Sequence, residues 1–358
     1  MKDTNEKEIN EYVDFHIHSK ASIDGSKSIN SLLRIAHKNN VSMLGITDHN
    51  TISGVNNFLD KENFNRLDSI CMVNGKTALF PGVEITVRIS SIKNNKGAPV
   101  KLHLVAYGID RTDESPISQL IKIKGINDKH IDYGYITEIE KKYGIIISDQ
   151  DLLEYSIFCK NNNHIIKGYS KQETFDFCHF MNFHLTENDA QLQAVINSLP
   201  QSDRLNLEAK DVINLVHASG GIVLLAHPHL SLQRTPYAND VIDYLVQNEI
   251  DGFELYYPQH TKSCDVFLRK VCKDNNITLF SGGTDYHQDF TDYDSKTHVS
   301  YEPISSNKVA AFIDYMNDLN YAHQKGTLIT KNYKNLKDFN IEETLNKYRR
   351  LFCICEHI

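Results

Sequence analysis

Six short apolar runs in this chain each carry a group able to bind a cation, in chain order DFHIHS, GITDHN, FPGVEI, LHLVAYG, VLLAHPH and SGGTDYH. A fold built from this chain has to bury the runs and still find partners for their imidazoles and carboxylates. A polar or charged group that leaves water without compensation is costly. The architecture is therefore constrained to one that brings these groups together.

The runs belong to a rhythm. Strand candidates are YVDFHI (12–17), VSMLGIT (41–47), ALFPGVEIT (78–86), KLHLVAYGI (101–109), GIVLLAH (221–227), DGFELYY (251–257) and ITLFSGGTD (277–285). Between the first two, Ile29, Leu32, Leu33 and Ala36 recur at helical spacing behind Ser28, and similar patterns occupy 208–219, 238–249, 261–275 and 306–319. Strands alternating with helices predict a parallel α/β sheet whose crossovers place the strand C-termini on one rim. The rhythm fails from 111 to 206, a polar, helix-leaning stretch expected to form a mainly helical insertion or lid, so that 1–110 and 207–330 make one discontinuous barrel domain. The tail, 331–358, reads as a C-terminal helix packing on the barrel through Leu345, Tyr348 and Leu351.

Composition narrows the function. Lys and Arg total 38 against 46 Asp and Glu, a net charge of −8, which argues against long-duplex nucleic acid as a partner. The polar start MKDTNEKEIN and the absence of a long apolar run point to a cytoplasmic protein with no membrane partner. Seven cysteines form no paired framework, and Cys353 and Cys355 read as ordinary residues.

His16 and His18 lie two apart on a strand and so share a face. Thr47, Asp48 and His49 end the second strand, Glu84 the third and His227 the fifth. His103 lies on the fourth, and Asp285 and His287 follow the seventh. Nitrogen and oxygen donors without cysteine suit zinc, manganese or iron, and the natural chemistry of such a centre is hydrolysis. Asp48 is expected to support a neighbouring imidazole from behind. Asp14 is expected to do no more than begin a strand, and Glu254 to be a rim carboxylate with ordinary hydrogen bonds. His229 and Arg234, past the fifth strand, are candidate contacts for a substrate phosphate.

With those residues in place, DFHIHS, GITDHNT, FPGVEI, LHLVAYGID, GGIVLLAHPH and SGGTDYH resemble, in order, the motifs of the PHP (polymerase and histidinol phosphatase) superfamily, over about 1–110 and 208–290. The resemblance implies a distorted seven-stranded (β/α)7 TIM-like barrel with a trinuclear site of divalent ions. His16, His18, Glu84 and Asp285 would hold one metal, with Glu84 bridging to a second that also takes His103 and His227. Asp24, His49 and His287 would hold the third. Asp24 lies six positions after His18, one more than the usual family spacing. The implied activity is a phosphoesterase in which a metal-bridging hydroxide, held by Glu84, Asp285 and the other ligands, attacks a small phosphomonoester or nucleotide-like substrate. The alternatives are an exonuclease or oligonucleotidase acting on short single strands and, from another class, a non-catalytic metal-binding regulatory module.

Overall fold

The computed structural model describes residues 12–356 except 23, 133, 163–170, 200–204, 233–235, 288–302 and 329–330. Two compact units emerge, one from the described residues of 1–121, 206–290 and 297–345, the other from those of 122–205 and 346–358.

The first unit opens with β1 (Tyr12–Ile17), α1 (Ile29–Lys38), β2 (Val41–Ile46), α2 (Ser53–Lys61), β3 (Cys71–Val73), β4 (Thr77–Lys93) and β5 (Pro99–Tyr107). Helices α3 (Pro116–Asp132), α4 (Gly134–Tyr143), α5 (Asp149–Asn161), α6 (Lys171–Phe180) and α7 (Asp189–Ser198) follow. The chain then forms β6 (Leu207–Glu208), α8 (Ala209–Ala218), β7 (Ile222–Leu225), α9 (Pro228–Leu232), α10 (Ala238–Gln247), β8 (Gly252–Tyr256), α11 (Lys262–Asp274) and β9 (Leu279–Gly282). After β10 (Ile304–Ser305) and a 3-10 turn come α12 (Ala310–Gln324) and α13 (Ile341–Glu356).

The main sheet runs β10-β1-β2-β4-β5-β7-β8-β9, and an Ile17–Tyr286 bridge brings its far edge back to β1. It is a mixed α/β fold with a nearly closed, barrel-like sheet. Two features depart from a parallel seven-stranded barrel. Ten strands are present among the described residues, and β5 runs antiparallel to both β4 and β7. The cause is a tight turn in NNKGA. Asn94 Oδ1 accepts from the backbone N–H groups of Lys96 and Ala98, and Gly97 takes φ +74°. So short a link makes a hairpin, because a parallel return needs a crossover of a dozen residues or more.

Alternation along the strands sets floor and site at different heights. Ala78, Phe80 and Glu84 share one face of β4, and Tyr107, Val105 and His103 the matching face of β5. Phe15, Phe80 and Phe312 form the aromatic floor, with Phe15 4.9 Å from each of the other two ring centroids. On β1 the register slips, the four residues from Asp14 to Ile17 facing the three from Leu44 to Ile46. Such a bulge re-aims side chains, and here it lets Phe15 join the floor while its neighbour His16 joins the cluster above.

Helix α1 follows its pattern. Ser28 Oγ accepts from Ser31 N–H at 3.2 Å, and Ile29, Leu32, Leu33 and Ala36 are buried. The C-terminal segment departs from expectation. Its helix begins only at Ile341, and Tyr333 and Lys331 instead reach Asp251, a buried carboxylate also bonded to His217. Leu345 and Tyr348 are buried but Leu351 is 39% exposed. Six residues turn a helix through 600°, which leaves Leu351 about 120° away from Leu345. In the second unit, Tyr155 and Phe177 pack edge to face within an apolar cluster that includes Ile136 and Cys159.

Candidate metal centre

The nine expected ligands lie in one nest at the upper end of the barrel-like sheet. Glu84 is its centre and is fully buried. Its Oε1 meets His227 Nε2 at 2.7 Å and His103 Nδ1 at 2.9 Å. Its Oε2 meets His49 Nδ1 at 3.1 Å and the Nε2 atoms of His16 and His18, each at 3.2 Å. Asp285 Oδ1 completes that side, 3.4 Å from His16 Nε2 and 3.2 Å from His18 Nε2. On the outer side Asp24 Oδ2 lies 3.4 Å from His49 Nε2 and 3.3 Å from His287 Nε2. Three overlapping groups result, His16–His18–Glu84–Asp285, His49–Glu84–His103 and His18–Asp24–His49–His287, with donor atoms within 4.8 Å of one another in each.

Tautomers show that this donor set fits cations. His287 Nδ1 is 2.7 Å from the Asp285 backbone carbonyl, which can only accept, so Nδ1 carries the proton and Nε2 turns a lone pair toward Asp24. His16 Nδ1 donates to Glu254 Oε1 at 3.1 Å, so its Nε2 lone pair faces Glu84 and Asp285. Among buried atoms without a hydrogen-bond partner are Glu84 Oε2, Asp285 Oδ1, His49 Nδ1 and His103 Nδ1. Lone pairs converging on lone pairs out of water repel unless positive charge lies between them. Divalent cations are the chemistry that oxygen and imidazole nitrogen donors in this number accept. The electrostatics agree. Burial opposes charging Glu84, but His49, His16 and His103 hold its carboxyl well below the usual range. Burial likewise opposes charge on His16, whereas Glu254, Glu84 and Asp285 raise its proton affinity well above that of an ordinary histidine, so the nest draws positive charge even when that charge is a proton.

The backbone is bent to serve the nest. His227 and Asp285 take φ +27° and +56°, a region that costs a residue with a side chain about 1–3 kcal/mol. Each is held in place: His227 N–H donates to Glu254 Oε2 at 2.6 Å and Asp285 N–H to the His16 carbonyl at 2.9 Å. Gly283 is required beside them, because a Cβ there would lie 2.3 Å from His16 Cβ.

Three expectations about supporting residues need correction. Glu254 is buried and orients both His16 and the His227 backbone, so it is no ordinary rim carboxylate. A carboxylate flanked by Phe253 and Leu255 in a buried strand was the available signal. Among the described residues Asp48 has no hydrogen bond to an imidazole. It clamps the turn after β1 by accepting from Ser19 N–H at 2.6 Å and Ser19 Oγ at 2.8 Å, geometry that fits a loop anchor. Asp14 does more than begin a strand, since its carboxylate ties β1 to the β9 turn through Thr284 N–H at 2.9 Å and Thr284 Oγ1 at 2.7 Å. His229 lies outside the three groups, with its ring 5.3 Å from that of Tyr257, and Arg234 lies outside the described residues.

Glu254→Gln tests the supporting role. Loss of a partner that fixes a ligand imidazole typically weakens metal binding about 10–100-fold. That loss is the expected result, read by competition with a chromogenic chelator, while the far-ultraviolet dichroism of the variant stays as in the parent.

Comparison with known proteins places this geometry. The PHP domain profile matches residues 14–262, a span that holds seven of the nine nest residues, with Asp285 and His287 beyond it. Among curated proteins, the phosphoribosyl 1,2-cyclic phosphate 1,2-diphosphodiesterase of Eggerthella lenta is 22% identical over 293 residues, covering 77% of this chain and 94% of that enzyme. Among solved structures, a candidate metal-dependent phosphoesterase from Bifidobacterium adolescentis superposes with a TM-score of 0.52 at 18% identity, over 84% of this chain and 96% of the other. An amidohydrolase from Chromobacterium violaceum, with bound sulfate and no metal, superposes at 0.51 and 15% identity over the same shares. With the profile match spanning well over half of its length, the chain belongs to the PHP domain family.

Proposed function

We propose that the chain is a metal-dependent phosphoric ester hydrolase acting on a small phosphorylated substrate, with three divalent cations of zinc, manganese or iron. His16, His18, Glu84 and Asp285 hold the first, Glu84, His103 and His227 the second, and Asp24, His49 and His287 the third. The observation that carries this reading is the convergence of five imidazoles on Glu84 and two of them on Asp285, out of water, with Glu84 Oε2 and Asp285 Oδ1 lacking a hydrogen-bond partner among the described residues.

When bound, the cations offset the charge on phosphate and acidify the attacking water. The chain's own residues do the rest. Glu84 spreads its two oxygens between two donor sets, Oε1 toward His227 and His103 and Oε2 toward His49, His16 and His18, and so would serve two cations with one side chain. Asp285 turns Oδ1 inward while Oδ2 takes a 3.5 Å bond from Tyr257 Oη. Approach is from one side: the side chains of His16, His18 and Glu84 are fully buried, whereas those of His103 and Asp24 are 32% and 24% exposed. A phosphate meets the outer groups first. The Eggerthella lenta enzyme, whose name specifies a cyclic phosphate ester, supports this substrate class, and the net charge of −8 favours small esters over long duplexes.

The test is elemental analysis of the purified protein, followed by a screen of phosphomonoesters, nucleoside bisphosphates and short oligonucleotides. His16→Ala serves as the control. Co-purifying divalent metal and turnover that the substitution abolishes are expected. Turnover equal in the variant would remove the assignment, and cleavage confined to oligonucleotides would favour the nuclease.

A further inference from the structure

The turn after β1 carries a buried side chain that the ligand set does not use. Ser22 is 4% exposed, and its hydroxyl meets three residues of the nest at once. Oγ donates to Asp24 Oδ1 at 2.8 Å, accepts from the His49 backbone N–H at 3.2 Å and lies 3.3 Å from His18 Nδ1. Those three residues and His287 make up the outer donor group.

A hydroxyl has one proton and two lone pairs. The proton goes to Asp24, whose carboxylate oxygen can only accept, and one lone pair takes the His49 N–H. The second lone pair is what remains for His18, so His18 Nδ1 is the donor and carries the ring proton. Its Nε2 then turns a lone pair toward Glu84 Oε2 and Asp285 Oδ1, each at 3.2 Å. Ser22 does for His18 what Glu254 does for His16. With every donor and acceptor of the hydroxyl in use, displacing any one partner leaves a buried polar atom unpaired.

The serine is itself held on both sides. Its N–H donates to the Ser19 carbonyl at 3.0 Å, and its carbonyl accepts from Gly25 N–H at 3.3 Å. Asp48 clamps Ser19, and a Cβ at Gly25 would run into the Ser19 carbonyl. A serine in a turn commonly bonds its own neighbouring backbone. This one instead reaches a ring, a carboxylate and a backbone N–H 27 positions away, all in ligand residues.

We propose that Ser22 is a positioning residue that sets the tautomer of His18 and locks Asp24 and His49 in register with it, so that the outer cation depends on this one hydroxyl. The role rests on the metal-dependent reading and adds a link between two sets of donors. His18 belongs both to the outer group and to the inner group of His16, Glu84 and Asp285, and the hydroxyl ties the two together.

The test compares the parent with Ser22→Ala and Ser22→Thr, each equilibrated with manganese, by elemental analysis and by competition with a chromogenic chelator. Ser22→Ala is expected to lose one manganese equivalent, its weakest site falling about 10–100-fold in affinity. Ser22→Thr, which restores the hydroxyl, is expected to keep the parent's content. An alanine variant that matches the parent would remove the role and leave the metal centre standing, and equal loss in both variants would reduce Ser22 to a packing residue. A parent that binds no manganese would remove the metal reading and this role with it. A second reading uses the parent fold directly. In zinc-loaded protein labelled with nitrogen-15 in histidine, two-bond proton–nitrogen correlations should show the His18 ring, identified by its absence from His18→Asn, with its proton on Nδ1. A proton on Nε2 would overturn the proposal whatever the variants do.

Discussion

Glu84→Gln is expected to lower kcat/KM for phosphate-ester hydrolysis by at least about a thousandfold, equivalent to roughly 4 kcal/mol of lost transition-state stabilisation. The substitution keeps shape and volume, so no cavity opens. It removes a negative charge from the one side chain that five imidazoles approach within 3.2 Å. It also places an amide nitrogen, a donor with no lone pair to offer, where one of the two oxygens faces other donors. Under the proposed ligation two ions would lose a shared ligand at once, so metal content should fall along with rate. The check is steady-state kinetics with elemental analysis on the same preparation, and a variant with full metal content and full activity would remove Glu84 from the centre.

Chelation should produce the second large effect, this time on stability. In the metal-free protein the donors of His16, His18, Glu84 and Asp285 face one another out of water, where burial opposes charge on each of them. A cation present at a thousand times its Kd stabilises the fold by about 4 kcal/mol per site. At about 2.1 cal/mol/K per residue, a chain of 358 residues shifts Tm by roughly 1.3 °C for each kcal/mol, so stripping even one well-bound ion should lower Tm by about 5 °C. Differential scanning fluorimetry before and after treatment with a strong chelator, then after adding back manganese or zinc, measures this. The shift should shrink in Glu84→Gln, which has fewer ions to lose. Identical transitions with and without chelator would mean that no ion is coupled to the fold.

How much of this could be read from the residues differs by kind of signal. The strands announced themselves because β-branched and apolar runs bounded by polar turns carry a strong local pattern, and histidines and carboxylates within those runs marked the nest. Strand direction was less visible. The Asn94–Gly97 turn makes β4 and β5 a hairpin, but its signal is a few residues set inside a region read for crossovers. Elements of two to five residues, such as β6, β10 and α9, are too short to show a period. Leu351 was misplaced because spacings of three and six drift off a helical stripe. The harder loss concerns Glu254 and Asp48, two strand-end carboxylates of similar appearance. One aligns His16 and the other clamps Ser19, and that difference depends on which strand is the neighbour in space. Asp24 shows the opposite case, since despite the extra residue before it Ser22 Oγ donates to its Oδ1 at 2.8 Å and its other oxygen reaches His49 and His287.

The central claim is that residues far apart in sequence form a single multinuclear cation site. Anomalous diffraction from crystals grown with manganese or zinc tests it most directly. The account predicts peaks within coordination distance of His16, His18, Glu84 and Asp285, of Glu84, His103 and His227, and of Asp24, His49 and His287. A map with well-ordered density for these nine side chains and no anomalous peak among them, at metal concentrations that support turnover, would contradict it.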